Sequence, residues 1–160
     1  MIREFRQEDK EALCRFFARL IDGHKEYISH GELQMGIATD TGVLADDFRE
    51  KWLRYLDAQL GREGNRLLIA ENDGTLVGFV LFGVTDDGDA PFGVIFDLGV
   101  EPACRGQRLG QQLMGRALEW FRGQGVKDCY LESGVANHSA HEFFEHHGFR
   151  AVSSVFRLKL

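Results

Sequence analysis

The chain is poor in proline. Pro91 and Pro102 are the only two in 160 residues, so it has no proline-rich linker or recognition segment. Its three cysteines, Cys14, Cys104 and Cys129, are odd in number and lack CxxC or other metal-ligand spacing. That speaks against a disulfide framework and makes a reduced, cytoplasmic setting the expectation. No apolar run approaches the ~20 residues of a membrane-crossing helix, so no membrane role is expected. Charges at Arg3 and Glu4 sit where a secretory leader would be apolar. Positive charge is also short: 19 Lys and Arg stand against 25 Asp and Glu, for a net charge of −6. That argues against general nucleic-acid binding. Repeats and low-complexity stretches are absent as well.

What is present is an ordinary globular composition, 44% hydrophobic and 28% charged, with thirteen phenylalanines that point to a Phe-rich core. The length suits one domain, 1–160. Ile2–Phe5 reads as a short strand. Glu8–Leu20 reads as a helix with Leu13, Phe16, Phe17 and Leu20 on one face. Residues 23–45 read as a loop with room for a short helix. Asp46–Leu60 reads as a second helix with Phe48, Trp52 and Leu56 buried. Arg66–Glu71 and Leu76–Val84 read as a hairpin across Asn72-Asp73-Gly74-Thr75, because Asp-Gly between two β-rich runs is a strong turn signal. Val94–Val100, a helix at Arg108–Arg122, a strand at Val126–Ser133, a helix at Asn137–His147 and one or two strands in Phe149–Leu160 complete the pattern. This order implies an α/β fold, a mixed sheet with helices on both faces.

The most specific segment is Asp97-Leu98-Gly99-Val100-Glu101-Pro102-Ala103-Cys104-Arg105-Gly106-Gln107-Arg108-Leu109-Gly110. An apolar strand stops at Pro102, a Gly- and Arg-bearing loop follows, and a helix begins. The loop amides and the first helical amides have no partners of their own, and the helix dipole adds positive charge there. Glycine lets the backbone approach a ligand closely, and arginine adds forked donors. The arrangement suits a phosphate.

The chain resembles the Gcn5-related N-acetyltransferases (GNAT) in two places. Leu98-x-Val100-x-Pro102-x-x-Arg105-Gly106-x-x-Leu109-Gly110 looks like that family's acetyl-CoA pyrophosphate loop. Asn137-x-x-Ala140-x-x-Phe143-Phe144-x-x-x-Gly148-Phe149 looks like its C-terminal motif. The resemblance implies a GNAT-like, mainly antiparallel sheet of six or seven strands with a splayed parallel pair in the middle. It implies acetyl-CoA as co-substrate, with no metal.

On that resemblance Arg105, Gly106, Gln107, Arg108, Leu109 and Gly110 hold the pyrophosphate. Leu98, Gly99 and Val100 offer backbone to the pantetheine arm, and a nearby N–H offsets charge on the thioester oxygen. Asn137 and Phe144 complete the cofactor-binding set, Asn137 doubling as a helix N-cap. Arg105, Arg108 or Lys127 could meet the 3′-phosphate.

Two residues depart from the family pattern. Arg108 stands where the middle glycine of the loop is usual, and a side chain is tolerable there when φ stays below zero. Phe144 stands where many members carry a tyrosine that protonates the departing thiolate. Tyr130 and Ser139 are possible substitute donors.

An amine must be neutral to attack the thioester, so a base is needed. Asp97 is the first candidate, since some aminoglycoside acetyltransferases resemble this chain in an acidic residue before Leu-x-Val; its other reading is a structural carboxylate. Glu132, on the neighbouring strand, is the second. His138 is a further acid–base candidate. His138 and His141 have metal-pair spacing but no third ligand that the sequence nominates. Cys104 reads as structural.

Acceptor specificity is expected from residues 22–57 and the Asp86–Pro91 loop. His24, Tyr27 and His30, with Glu26, Glu32 and Asp40, could line a site for a cation, or form a solvated loop. The sequence therefore points to direct acetyl transfer onto a primary amine of a small cationic molecule or a peptide, in a chain that could form a homodimer. The alternative from another class is an acyl-CoA-binding sensor without turnover. A Rossmann-type nucleotide binder is disfavoured by the missing GxGxxG.

Overall fold

The computed structural model describes residues 1–85 and 90–160. Asp86, Asp87 and Asp89, part of the expected acceptor loop, lie outside the described residues. The chain divides into two compact units, Met1–Leu20 with Trp52–Glu132, and Ile21–Lys51 with Ser133–Leu160.

The first unit is built on a five-stranded sheet in the order β1-β2-β3-β4-β5. The strands are β1 (Ile2–Glu4), β2 (Asn65–Asn72), β3 (Thr75–Thr85), β4 (Phe92–Val100) and β5 (Cys129–Leu131). The first four pair antiparallel, and β4 and β5 pair parallel. The Asp-Gly turn forms as read: Asp73 and Gly74 both take positive φ, 48° and 76°, so a two-residue turn joins β2 to β3.

Three helices contribute to this unit: α1 (Lys10–Ile21), α3 (Phe48–Leu60) and α4 (Leu109–Gly123). A short α2 (His30–Met35) belongs to the second unit, and α5 spans His138–His146. Helix starts fall within about two residues of the sequence reading. Glu8 and Asp9, read as the first turn of a helix, instead lie in a 3-10 turn, Gln7–Asp9, that leads into α1.

Aromatic packing identifies the two faces of the sheet. Phe79 of β3 makes edge contacts with Phe16 and Phe17 of α1, and Phe17 stacks on Trp52 of α3 at 5.1 Å. Phe82 of β3 makes edge contacts with Trp120 and Phe121 of α4. Hence α1 and α3 cover one face and α4 the other. Phe16, Phe17, Phe48, Phe79, Phe82 and Phe121 are all buried, as a Phe-rich core requires. Burying each such ring contributes about 1.5–3 kcal/mol before entropy is counted.

The sheet differs from the expected six or seven strands, and its parallel pair lies at the edge, not in the middle. Both differences have one origin. Residues 149–160 are not assigned to any strand, and Val152, Val155, Phe156, Leu158 and Leu160 are exposed. A strand exists only where a neighbour takes its hydrogen bonds, so β-rich composition alone is insufficient. Among the described residues no strand lies beyond β5, which forms the sheet's edge.

In the second unit, Ser29 and Glu32 cap α2 reciprocally, and Gly36 ends it at φ 70°. A bridge joins Ala38 to Leu44. Gly134 lies so close to the backbone of Glu26 and Ile28 that a Cβ would sit 2.6 Å from the Glu26 carbonyl oxygen.

Candidate active site

The site begins with an irregularity in β4. Its register with β3 pairs Ile95 with Phe82 and Asp97 with Leu81, leaving Phe96 as an extra residue. This is a β-bulge, and it reverses the side-chain alternation. Residues paired across an antiparallel ladder point to the same face. Ile95 therefore shares the α4 face with Phe82, whereas Asp97 shares the α1/α3 face with Leu81. The glycines agree. A Cβ on Gly93 would meet the Phe121 ring of α4 at 2.8 Å, and one on Gly99 would meet Leu20 of α1 at 2.7 Å. In an unbroken strand both would face the same way.

On the α1/α3 face, the Asp97 carboxylate accepts a 2.9 Å hydrogen bond from the Tyr55 hydroxyl of α3. Both residues are half-buried. Nothing in the sequence pattern singled out Tyr55. The available signal was its place three residues after Trp52 and one before Leu56, at the margin of the buried stripe. The bulge at Phe96 carries no Gly or Pro marker and was not legible.

The same region leaves part of β4 without a partner strand on one side. The parallel ladder covers only Gly93–Ile95 against Cys129–Leu131. Beyond it β4 continues to Val100, paired on one side with β3. Among the described residues no strand pairs with the other side of Phe96–Val100. Such an edge can accept an extended chain as an added strand. Leu98 and Val100 pair with Val80 and Gly78 and so point to the α4 face, leaving their backbone for that edge.

After β4 come a 3-10 turn at Pro102–Cys104 and the loop Arg105–Arg108. The Arg105 and Gln107 amides are turned inward onto the Pro102 and Cys104 carbonyls, at 3.2 and 3.3 Å. Among the described residues the Gly106 and Arg108 amides bond to no backbone carbonyl outside the helices, and the first-turn amides of α4, from Leu109 and Gly110, follow directly. The anion-facing set is thus narrower than the whole Arg105–Gly110 run. Gly106 adopts φ 86° and Arg108 φ 61°. The condition of negative φ at Arg108 is therefore not met. The loop retains the left-handed turn that glycine would make and imposes it on an arginine, at a cost of about 1–2 kcal/mol. Arg105, Gly106, Gln107 and Arg108 are all exposed.

Glu132 follows the last residue of β5 and is exposed. Cys129 of β5 is half-buried, and burial pushes its thiol above the ordinary value. None of the three cysteines forms a disulfide.

In the second unit Asn137 takes the N-cap role: its side chain accepts from the Ala140 amide at 3.4 Å. Phe144 packs against Phe143 and Phe149, at 5.7 and 6.1 Å between ring centroids. The His141 ring nitrogen bonds to the Gly134 carbonyl at 2.9 Å, and His147 bonds to the Phe143 carbonyl. Among the described residues no group of three His, Cys, Asp or Glu could hold a metal ion. Most of the expected acceptor residues are engaged with neighbouring side chains or caps. His24 stacks on Tyr27 and bonds to Glu26, Glu32 serves the α2 cap, and Asp40 faces Arg157 at 3.9 Å. The Glu26 carboxyl lies below its usual range, first through its own backbone amide and then through His24.

A sequence model of the acetyltransferase (GNAT) family matches residues 34–149. The chain belongs to the GNAT family. It is 36% identical over 153 residues to a mycothiol acetyltransferase of Propionibacterium freudenreichii subsp. shermanii, covering 94% of this chain and 43% of that protein. It thus spans less than half the length of that relative. Among solved structures it is similar in fold to the aminoglycoside 6′-N-acetyltransferase AAC(6′)-IG from Acinetobacter haemolyticus, with a TM-score of 0.74 at 13% identity, covering 100% of this chain and 97% of that one. It is also similar to AAC(6′)-Iy in complex with a bisubstrate analogue, with a TM-score of 0.70 at 18% identity, over 100% and 97% of the two chains.

Proposed function

We propose that this GNAT protein is an acetyl-CoA-dependent N-acetyltransferase that moves an acetyl group directly onto a primary amine of a small, cationic molecule or a peptide. The observation that carries the reading is the conjunction on β4: an edge left open where the β5 ladder ends, a bulge that aims Asp97 away from α4, and a helix-opening loop at the strand's end. The pantetheine arm would add to the Phe96–Val100 edge, and the pyrophosphate would meet the Gly106, Arg108 and first-turn α4 amides. Arg105 and Arg108 supply positive charge beside them.

In this reading acetyl-CoA supplies the activated acyl group. Asp97 takes the proton as the amine nitrogen attacks the thioester carbon. A backbone N–H of the Leu98–Val100 segment offsets the charge on the thioester oxygen. The thiolate leaves without a tyrosine at position 144 and takes its proton from water. The relative's name, mycothiol acetyltransferase, supports acetyl transfer, and the net charge of −6 favours a cationic acceptor over an acidic one.

The second reading, an acyl-CoA sensor without turnover, is favoured by one observation, the phenyl ring at position 144. Free-thiol release from acetyl-CoA, followed across amines, polyamines, aminoglycosides and short peptides, separates the two. Release that depends on one amine class supports the enzyme. Thermal stabilisation by CoA with no release from any amine supports the sensor.

A further inference from the structure

We propose that Tyr55 is a positioning residue for acetyl transfer, acting by holding the Asp97 carboxylate in the orientation that receives the amine's proton. The proposal rests on the reading of Asp97 as base made above, and it goes beyond that reading by naming the group that fixes the base.

Two separate features of the fold bring this pair together. The bulge at Phe96 moves Asp97 onto the α1/α3 face. In a regular strand the carboxylate would face α4 and the buried side chains of Leu113, Met114 and Ala117. Helix α3 then brings a hydroxyl to it, at 2.9 Å. The helix itself is well anchored. Trp52, one turn before Tyr55, is buried and stacked on Phe17, and Leu56, the next residue, is buried. Asp57 pairs with Lys10 of α1 at 2.7 Å. The phenol therefore stands on a fixed helix and has only two side-chain torsions to settle, so it is preorganised.

The chemistry of the Tyr55 contact suits a base. A phenol donates one hydrogen bond and leaves the negative charge of the carboxylate in place. A carboxylate has two oxygens and about four lone-pair sites, of which the Tyr55 hydroxyl takes one. In the step, the C–N bond forms and the C–S bond breaks. The electron pair of the C–S bond leaves on the CoA sulfur, and the amine proton passes to Asp97 and on to solvent. Tyr55 neither gains nor loses a proton. Its part is to keep the acceptor oxygen from rotating away from the attacking amine.

The test is a double-mutant cycle of Tyr55→Phe and Asp97→Asn, with kcat and KM read by thiol release at enzyme concentrations raised for the slow variants, alongside CoA affinity and Tm. Tyr55→Phe is expected to lower kcat by about tenfold, with the KM for acetyl-CoA and the CoA affinity unchanged. In the Asp97→Asn background the same change is expected to have no further effect on kcat, because its partner's function is gone. Wild-type kcat in Tyr55→Phe overturns the proposal. So does an equal loss of kcat in both backgrounds, which is the signature of a merely structural contribution. Wild-type turnover in Asp97→Asn alone overturns the reading of Asp97 as base, and the proposal with it. That outcome is distinct from a failure confined to Tyr55.

Discussion

Gly93 and Gly99 stand six residues apart on β4, yet they open toward opposite faces of the sheet. A Cβ at Gly93 would press on the Phe121 ring, and one at Gly99 on Leu20 and on the Phe79 ring, all within 2.7–2.9 Å. Rings as buried as these cannot swing aside freely. Gly93→Ala and Gly99→Ala are each expected to lower stability by about 1–3 kcal/mol, as overpacking does. Denaturant melts of the two variants check this, and a wild-type midpoint in either would mean that the sheet is looser there than its packing indicates.

Arg108 has two opposing effects that substitution can separate. Its left-handed backbone costs stability, while its charge sits where an anion is expected. Arg108→Gly is expected to raise Tm by a few degrees, roughly the relief of 1 kcal/mol. Arg108→Ala keeps the backbone penalty and gains nothing. Both lose the charge, and both should weaken CoA binding by about tenfold if the side chain meets phosphate. Calorimetric titration with CoA and thermal melts on the same samples read the two effects apart.

That residue also marks a limit of sequence reading. The strand, loop and helix around it were legible because hydrophobic periodicity, Pro102 and Gly106 report on local backbone. The hairpin at Asp73-Gly74 was legible for the same reason. The sign of φ at Arg108 was not, because it is imposed by the turn and not chosen by the residue. The bulge at Phe96 was invisible because alternation fails there only relative to β3, and the pattern does not report that pairing. Asp97 could therefore be named as a candidate, but its face of the sheet, and Tyr55 opposite it, required the register. The last dozen residues show the converse. Their β-rich composition predicts strands, yet no described strand pairs with them.

The Arg3 network gives a pH dependence with a definite sign. Arg3 reaches across to Asp9 at 2.7 Å and to Glu71, all three side chains being four-fifths or more covered. The Arg3 hydrogen bond holds the Asp9 carboxyl below its ordinary value, and it does the same for Glu71. A carboxyl lowered in the folded state stabilises the fold above its unfolded value, around 4, and loses that contribution as pH falls through the lower folded value. Stability should therefore drop on acidification below about pH 4. Arg3→Met should lower Tm at neutral pH by several degrees or so and flatten that acid limb. Melts from pH 2 to 7 on both proteins check it; an unchanged limb would assign the acid sensitivity to other carboxylates.

Asp97 and Glu132 were equal in kind as candidate bases, and the structure makes them unequal in placement. Asp97 is half-buried, turned by the bulge and held by Tyr55, while Glu132 is exposed beyond the end of β5. A general base contributes through a fixed, partly desolvated position near the proton it takes, and the exposure of Glu132 weakens that role. Asp97→Asn is accordingly expected to lower kcat by about 10²–10⁴-fold while CoA affinity stays unchanged, and Glu132→Gln to stay within about threefold of wild type. Both substitutions remove one charge, so a general electrostatic effect on a cationic acceptor would appear in KM for both. A large kcat loss in Glu132→Gln with Asp97→Asn near wild type would reverse the assignment and place the proton's destination on the β5 side of the open edge.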